Sequence, residues 1–156
     1  TVTEAQKEGF KAEEGTRMYL TIEEVQRLAQ TECEYPAIKR AFLFSCLTGL
    51  RRSDILKLTW GEVHQQGDFT RIIFRQKKTG GQEYLDITQQ AAELMGERGN
   101  PNDYIFTDIY SPTCTNEAIK RWVLRAGIHK EITFHCASHI KSYYSLGTRE
   151  LQKLSD

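Results

Sequence analysis

At 156 residues the chain is long enough for one domain with a true core, and 39% of its residues are hydrophobic. Its 21 basic and 21 acidic side chains cancel to zero formal charge, so no global field advertises a nucleic-acid partner. Any such partner needs the basic residues gathered on one face. The sequence has no apolar run of membrane-spanning length and no signal-peptide pattern. Cys33, Cys46, Cys114 and Cys136 are scattered without a C-x-x-C pair, the pattern of reduced thiols in a cytosolic protein.

In chain order, residues 1–18 are polar and charged, lack an apolar period, and read as a linker or the cut edge of a larger protein. Thr21 and Glu24 then make a capping box, and Leu20 with Val25 has the spacing of a hydrophobic staple, which predicts a helix over 22–30. Pro36 fits the first turn of a second helix over 36–47. That helix runs into Thr48-Gly49-Leu50-Arg51-Arg52-Ser53-Asp54-Ile55-Leu56-Lys57-Leu58. Gly49 suits a left-handed helix end, and Ser53 and Asp54 offer oxygens to cap a helix over 53–58. Arg51 and Arg52 fall between the two helices. A guanidinium at a buried junction needs a carboxylate or an oxyanion beside it. A salt bridge to Asp54 or Glu62 and an anion site are both open at this point.

After Trp60 the apolar period changes from helical to alternating. Residues 70–75 and 82–87 predict two strands around the Gly-rich hairpin Lys77-Lys78-Thr79-Gly80-Gly81. Thr88 can cap a helix over 89–95, and Gly96, Gly99 and Pro101 break the chain. Thr113 or Thr115 can cap a helix over 115–126 that Gly127 stops. The fold class is therefore mainly α (α+β), a helical domain with one small antiparallel sheet. Beyond it stands Ile132-Thr133-Phe134-His135-Cys136-Ala137-Ser138-His139. His135 and His139 are one helical turn apart beside Cys136, but with no H-E-x-x-H glutamate and no second spaced pair, no metal is predicted. A histidine capping a helix is the other plain reading.

The string Thr-Gly-Leu-Arg-x-Ser-Asp-Ile-x-x-Leu followed by Thr59-Trp60 closely resembles the first arginine box of the tyrosine recombinases, the phage-type integrases. The resemblance runs from about Tyr19 to His135. It implies a helical catalytic domain acting on double-stranded DNA by transesterification, with Arg51 gripping the scissile phosphate. Lys78-Thr79 matches the family's hairpin lysine, which protonates the leaving 5′ oxygen, and His135 matches the first residue of His-x-x-Arg. Arg52, Arg75 and Lys77 are then candidate contacts to the DNA backbone. The resemblance implies no cofactor, neither ATP nor a metal. It implies a tetrameric synapse on DNA, a monomer when free, no membrane, and a cytoplasmic, bacterial or phage-encoded setting. Residues 1–18 would link to the family's core-binding domain. Residues 19–156 would be the catalytic domain, whole or cut short at its C-terminal end.

The sequence also departs from the pattern. Ser138 stands where the second catalytic arginine belongs, and serine carries neither fixed charge nor a bidentate fork. Residues 140–145 read poorly as the long apolar helix expected next. Leu146-Gly147-Thr148 resembles the late Leu-Gly-His box, yet no tyrosine follows it. Either the gene has decayed or segments are missing between joined pieces, and the surviving motif order favours the second. Two other functions stay open: a catalytically inactive DNA-binding remnant, and a plain helical interaction domain.

Overall fold

The computed structural model describes residues 19–75, 79–109 and 111–143. The chain builds α1 (Ile22–Gln30), α2 (Pro36–Thr48), α3 (Arg52–Leu56) and a 3-10 turn at Trp60–Glu62. Strands β1 (Val63–Gln66), β2 (Phe69–Arg75) and β3 (Gln82–Ile87) follow, then α4 (Gln89–Leu94), α5 (Pro112–Arg125), α6 (Phe134–Ala137) and α7 (Ile140–Tyr143). The architecture is mostly helical with one small antiparallel sheet, as the sequence pattern predicts.

Helix α2 is the centre of the packing. Ile38 and every residue from Ala41 to Thr48 are buried, as befits a helix apolar all round. Phe42 meets Trp122 of α5 edge-on at 5.4 Å between ring centroids and Phe134 of α6 at 5.8 Å. Such pairs add about 0.5–1.5 kcal/mol each beyond the area they bury. The Trp122 indole N–H donates to the Thr31 carbonyl at 2.9 Å, which satisfies the buried ring and fastens α5 to the end of α1.

The helix starts follow local chemistry. Thr21 and Glu24 form both hydrogen bonds of the capping box, at 3.1 and 2.8 Å. Pro36 occupies the first turn of α2, and the Thr88 hydroxyl accepts from the Ala91 N–H. Gly49 closes α2 at φ 79°, where its lack of a Cβ avoids the left-handed penalty.

Several boundaries differ from the sequence reading. Helix α3 begins at Arg52, and Ser53 and Asp54 do not cap it: Arg51 occupies the cap with no side-chain bond, and Asp54 is buried within the first turn. Backbone bonds from the Asp54 and Ile55 N–H groups to the Arg51 carbonyl close that turn instead. Helix α5 begins at Pro112 with Ser111 as its cap, ahead of Thr113 and Thr115. Proline in the first turn costs no hydrogen bond, and Thr115 turns its hydroxyl back to the Ser111 carbonyl at 2.9 Å. Helix α7 forms a short turn of helix over residues that read poorly as one.

The sheet is a meander in the order β1-β2-β3 with both pairings antiparallel. Strand β1 was not legible as a strand because only Val63 of its four residues is buried. Its pairing with β2, Val63 opposite Ile72, creates it. Val63, Ile72, Phe74 and Ile87 turn inward to the core. Arg71 and Asp86 face each other on the outer side at 2.7 Å. The Arg71 hydrogen bond holds the Asp86 carboxyl below its ordinary range.

Candidate functional site

The site begins at the C-terminal end of α2. Ser45 and Thr48 are buried polar residues in an apolar helix, so each needs a partner. The Ser45 hydroxyl donates to the Leu50 carbonyl at 2.6 Å and the Thr48 hydroxyl to the Phe44 carbonyl at 2.8 Å. Thr48 Oγ1 also accepts from the Leu50 N–H at 3.2 Å. These bonds, with the Gly49 N–H on the Ser45 carbonyl at 2.8 Å, fix the turn that delivers Arg51. Arg51 itself is exposed, not buried at the helix junction as its place in the sequence suggests. Of the two carboxylates considered for it, Glu62 bonds to the Thr59 N–H at 2.9 Å, and Asp54 is buried in α3.

Helix α6 arrives from the far end of the domain. Phe134, Cys136 and Ala137 are buried against the core, which leaves His135 facing outward. Asn116 of α5 fastens the first turn of α6: its Oδ1 accepts the Phe134 N–H at 2.9 Å. The two segments touch where α2 ends. A Cβ on Gly49 would lie 3.8 Å from the Ser138 carbonyl oxygen and 3.7 Å from Lys141 Cδ, so the arginine turn packs on the chain just after α6.

Between them lies an open cavity of about 460 Å³ lined by Arg51, Arg52, Asn116, Thr133, His135 and Ser138 among others, with no carboxylate among the described residues of its wall. A chain with no net charge thus presents two guanidiniums and an imidazole to one concavity, an arrangement suited to an oxyanion. Ser138 adds no charge, and its hydroxyl donates back to the His135 carbonyl at 3.1 Å. The imidazoles of His135 and His139 meet directly, Nε2 to Nε2 at 2.9 Å, with ring centroids 4.6 Å apart and nearly perpendicular planes. Burial, then the neighbouring His135, then Arg51 hold His139 below the ordinary histidine range.

Arg75 does not line this cavity. It ends β2 in an exposed position and donates from Nη1 to the Gly80 carbonyl at 2.9 Å, while its own carbonyl accepts from the Lys57 ammonium just beyond α3. Lys57 thereby ties the arginine turn to the base of the hairpin. Lys77 and Lys78 lie outside the described residues, as do the segment 1–18 and everything from Tyr144 onward. Asn116 was missed by sequence reasoning. A lone asparagine inside a helix carries no signal of the backbone it will meet in space.

Known proteins share this fold. The chain resembles the crystal structure of XerA recombinase at 17% identity and a TM-score of 0.61, over 88% of this chain and 54% of that one. It resembles the integrase of mycobacterium phage Brujita at 17% identity and a TM-score of 0.61, over 88% and 48%. A third likeness is to XerH site-specific recombinase bound to difH substrate, at 17% identity and a TM-score of 0.63, over 89% and 44%. The chain therefore spans about half the length of these proteins. No curated protein matches it in sequence. The model of the phage integrase family matches residues 18–145, a span that holds every element from α1 to α7, and the chain belongs to that family of tyrosine recombinases.

Proposed function

We propose that residues 19–156 are the catalytic domain of a site-specific DNA recombinase, which cleaves and rejoins strands through a 3′-phosphotyrosine intermediate. The observation that carries this reading is the cavity where Arg51 and His135, distant in sequence, meet without an acidic neighbour among the described residues of its wall. The substrate is double-stranded DNA, held in a tetrameric synapse by a protein that is a monomer when free. In this reading Arg51 neutralises charge growing on the non-bridging phosphate oxygens, and His135 orients or deprotonates the attacking group. Lys78 protonates the leaving 5′ oxygen. Arg52, Arg75 and Lys77 contact the DNA backbone, and residues 1–18 lead to a core-binding domain. The protein works in the cytoplasm on DNA of bacterial or phage origin. No helix among the described residues is long and apolar enough to cross a membrane.

A second reading is a DNA-binding remnant without cleavage activity, and Ser138 favours it. Its hydroxyl is spent on the His135 carbonyl, and it brings no cation to the cavity. Tyr143 and Tyr144 follow His135 too closely to match the family's nucleophile. A chain of this sequence is expected to bind duplex DNA and form no covalent adduct. Incubation with a nicked suicide substrate and denaturing electrophoresis tests both readings. A shifted band lost in Tyr143→Phe or Tyr144→Phe would establish cleavage by this chain, and failure to bind duplex DNA at low salt would remove both readings.

A further inference from the structure

The contact between His135 and His139 has a strict chemical consequence. An N–H···N bond between two Nε2 atoms requires a proton on one and a lone pair on the other. At 2.9 Å the two rings therefore hold opposite tautomers when both are neutral, and both cannot be imidazolium while the bond lasts. The surroundings reinforce the limit. Arg51 and Arg52 come from the α2–α3 turn, Lys141 packs over Gly49 from the next turn, and Tyr19 meets the edge of His139 at 5.7 Å between centroids. The charged groups in this set are all positive, and no carboxylate among the described residues lines the cavity. A first proton on the pair meets these cations, and a second meets the first imidazolium as well.

The two rings are not equivalent. His139 is half-buried against Tyr19, whereas His135 is exposed and lines the cavity. An added proton is therefore better solvated on His135, leaving His139 as the neutral acceptor. We propose that His135 and His139 form a one-proton pair at the anion cavity, with His139 as the positioning residue that fixes the tautomer and charge of His135. When an oxyanion enters beside Arg51, the pair takes one proton from solvent. His135 becomes the imidazolium, its Nε2–H donates to His139 Nε2, and its Nδ1–H is the donor left for the anion, so of the two roles proposed above it orients and does not deprotonate while the anion is bound. This rests on the cavity being a phosphate site.

The test uses the 15N-labelled chain and inorganic sulfate, an oxyanion with no titrating proton in this pH range. Long-range imidazole spectra should show opposite neutral tautomers for His135 and His139. Sulfate affinity should rise as pH falls through the titration of the pair. In His139→Phe the rise of sulfate affinity should be displaced to lower pH, because the charge-assisted bond is gone. His139→Gln, whose amide reaches the same position and offers an acceptor oxygen, should restore most of it. Identical tautomers with sulfate still bound overturn the pair alone. Opposite tautomers with sulfate binding indifferent to pH overturn the anion coupling alone, whereas no sulfate binding at any pH overturns the reading of the cavity as an anion site as well. An unchanged pH dependence of sulfate binding in His139→Phe overturns the positioning role, and if that variant fails to fold, the wild-type tautomers and the Gln variant decide it.

Discussion

The Ser45 hydroxyl donates to the Leu50 carbonyl at 2.6 Å inside the core, and Arg51 is the next residue along the chain. The buried end of α2 and the exposed guanidinium are therefore one mechanical unit. Ser45→Ala leaves the Leu50 carbonyl without that donor. An unsatisfied buried acceptor costs about 1–3 kcal/mol, so urea denaturation should give a loss of that size. A loss no larger than that of a surface substitution would show that the turn holds without this bond.

Arg51 is exposed, so Arg51→Ala should change folding stability by no more than about 0.5 kcal/mol. Its effect should fall on DNA. Binding to duplex weakens across sequences, and the slope of log affinity against log salt drops by about 1 if one phosphate contact is lost. Arg51→Lys keeps the charge but not the planar fork, and should restore the salt slope more fully than the affinity. Filter binding over a salt series decides it, and an unchanged slope in the Ala variant would separate Arg51 from the phosphate.

Asn116 holds the His135 helix through a single acceptor, Oδ1 on the Phe134 N–H. Asn116→Ala should cost about 1 kcal/mol and speed amide exchange at Phe134. Asn116→Asp keeps an acceptor and should recover the protection. Equal exchange in the Ala variant and the parent chain would remove Asn116 from the positioning of α6.

Glu24 joins α1 to Lys130 at 2.7 Å. Burial raises its carboxyl, but the hydrogen bond from Lys130, the Thr21 N–H and the Lys130 charge outweigh it, and the net shift is downward. A carboxyl whose folded value lies below its unfolded value contributes stability that is full above the unfolded range. That contribution is lost as pH falls through the folded range. Stability measured from neutral to acid pH should therefore fall less steeply in Glu24→Gln than in the parent. Parallel profiles would show that the pair contributes nothing to acid sensitivity.

Local sequence determined the parts of this fold that depend on near neighbours. The Thr21–Glu24 box, the Pro36 start, Gly49 at a left-handed φ and the Thr88 cap each involve groups within four residues, so their hydrogen bonds are written in the spacing. The alternating pattern of β2 and β3 likewise places one face in the core whatever else surrounds it. Strand β1 was illegible because its single buried residue carries no period, and only pairing with β2 makes it a strand. The Ser53–Asp54 cap failed for a related reason. Asp54 is drawn into the first turn and buried there, and Arg51 takes the cap.

The site divides in the same way. Arg51, Arg52 and His135 stand out in the sequence by residue type and motif, but their meeting in one cavity is a property of packing. Phe134 and Cys136 must bury for His135 to face outward, Gly49 must admit the chain at Ser138 and Lys141, and Asn116 must reach Phe134 from another helix. The bond between His135 and His139 needs α6 to end and the chain to turn so that the two rings face each other. Sequence fixes which groups are present and how each short segment folds. Distances between segments, and hence charge, tautomer and access at the cavity, follow from how the apolar faces bury, because burial is set by the whole chain at once.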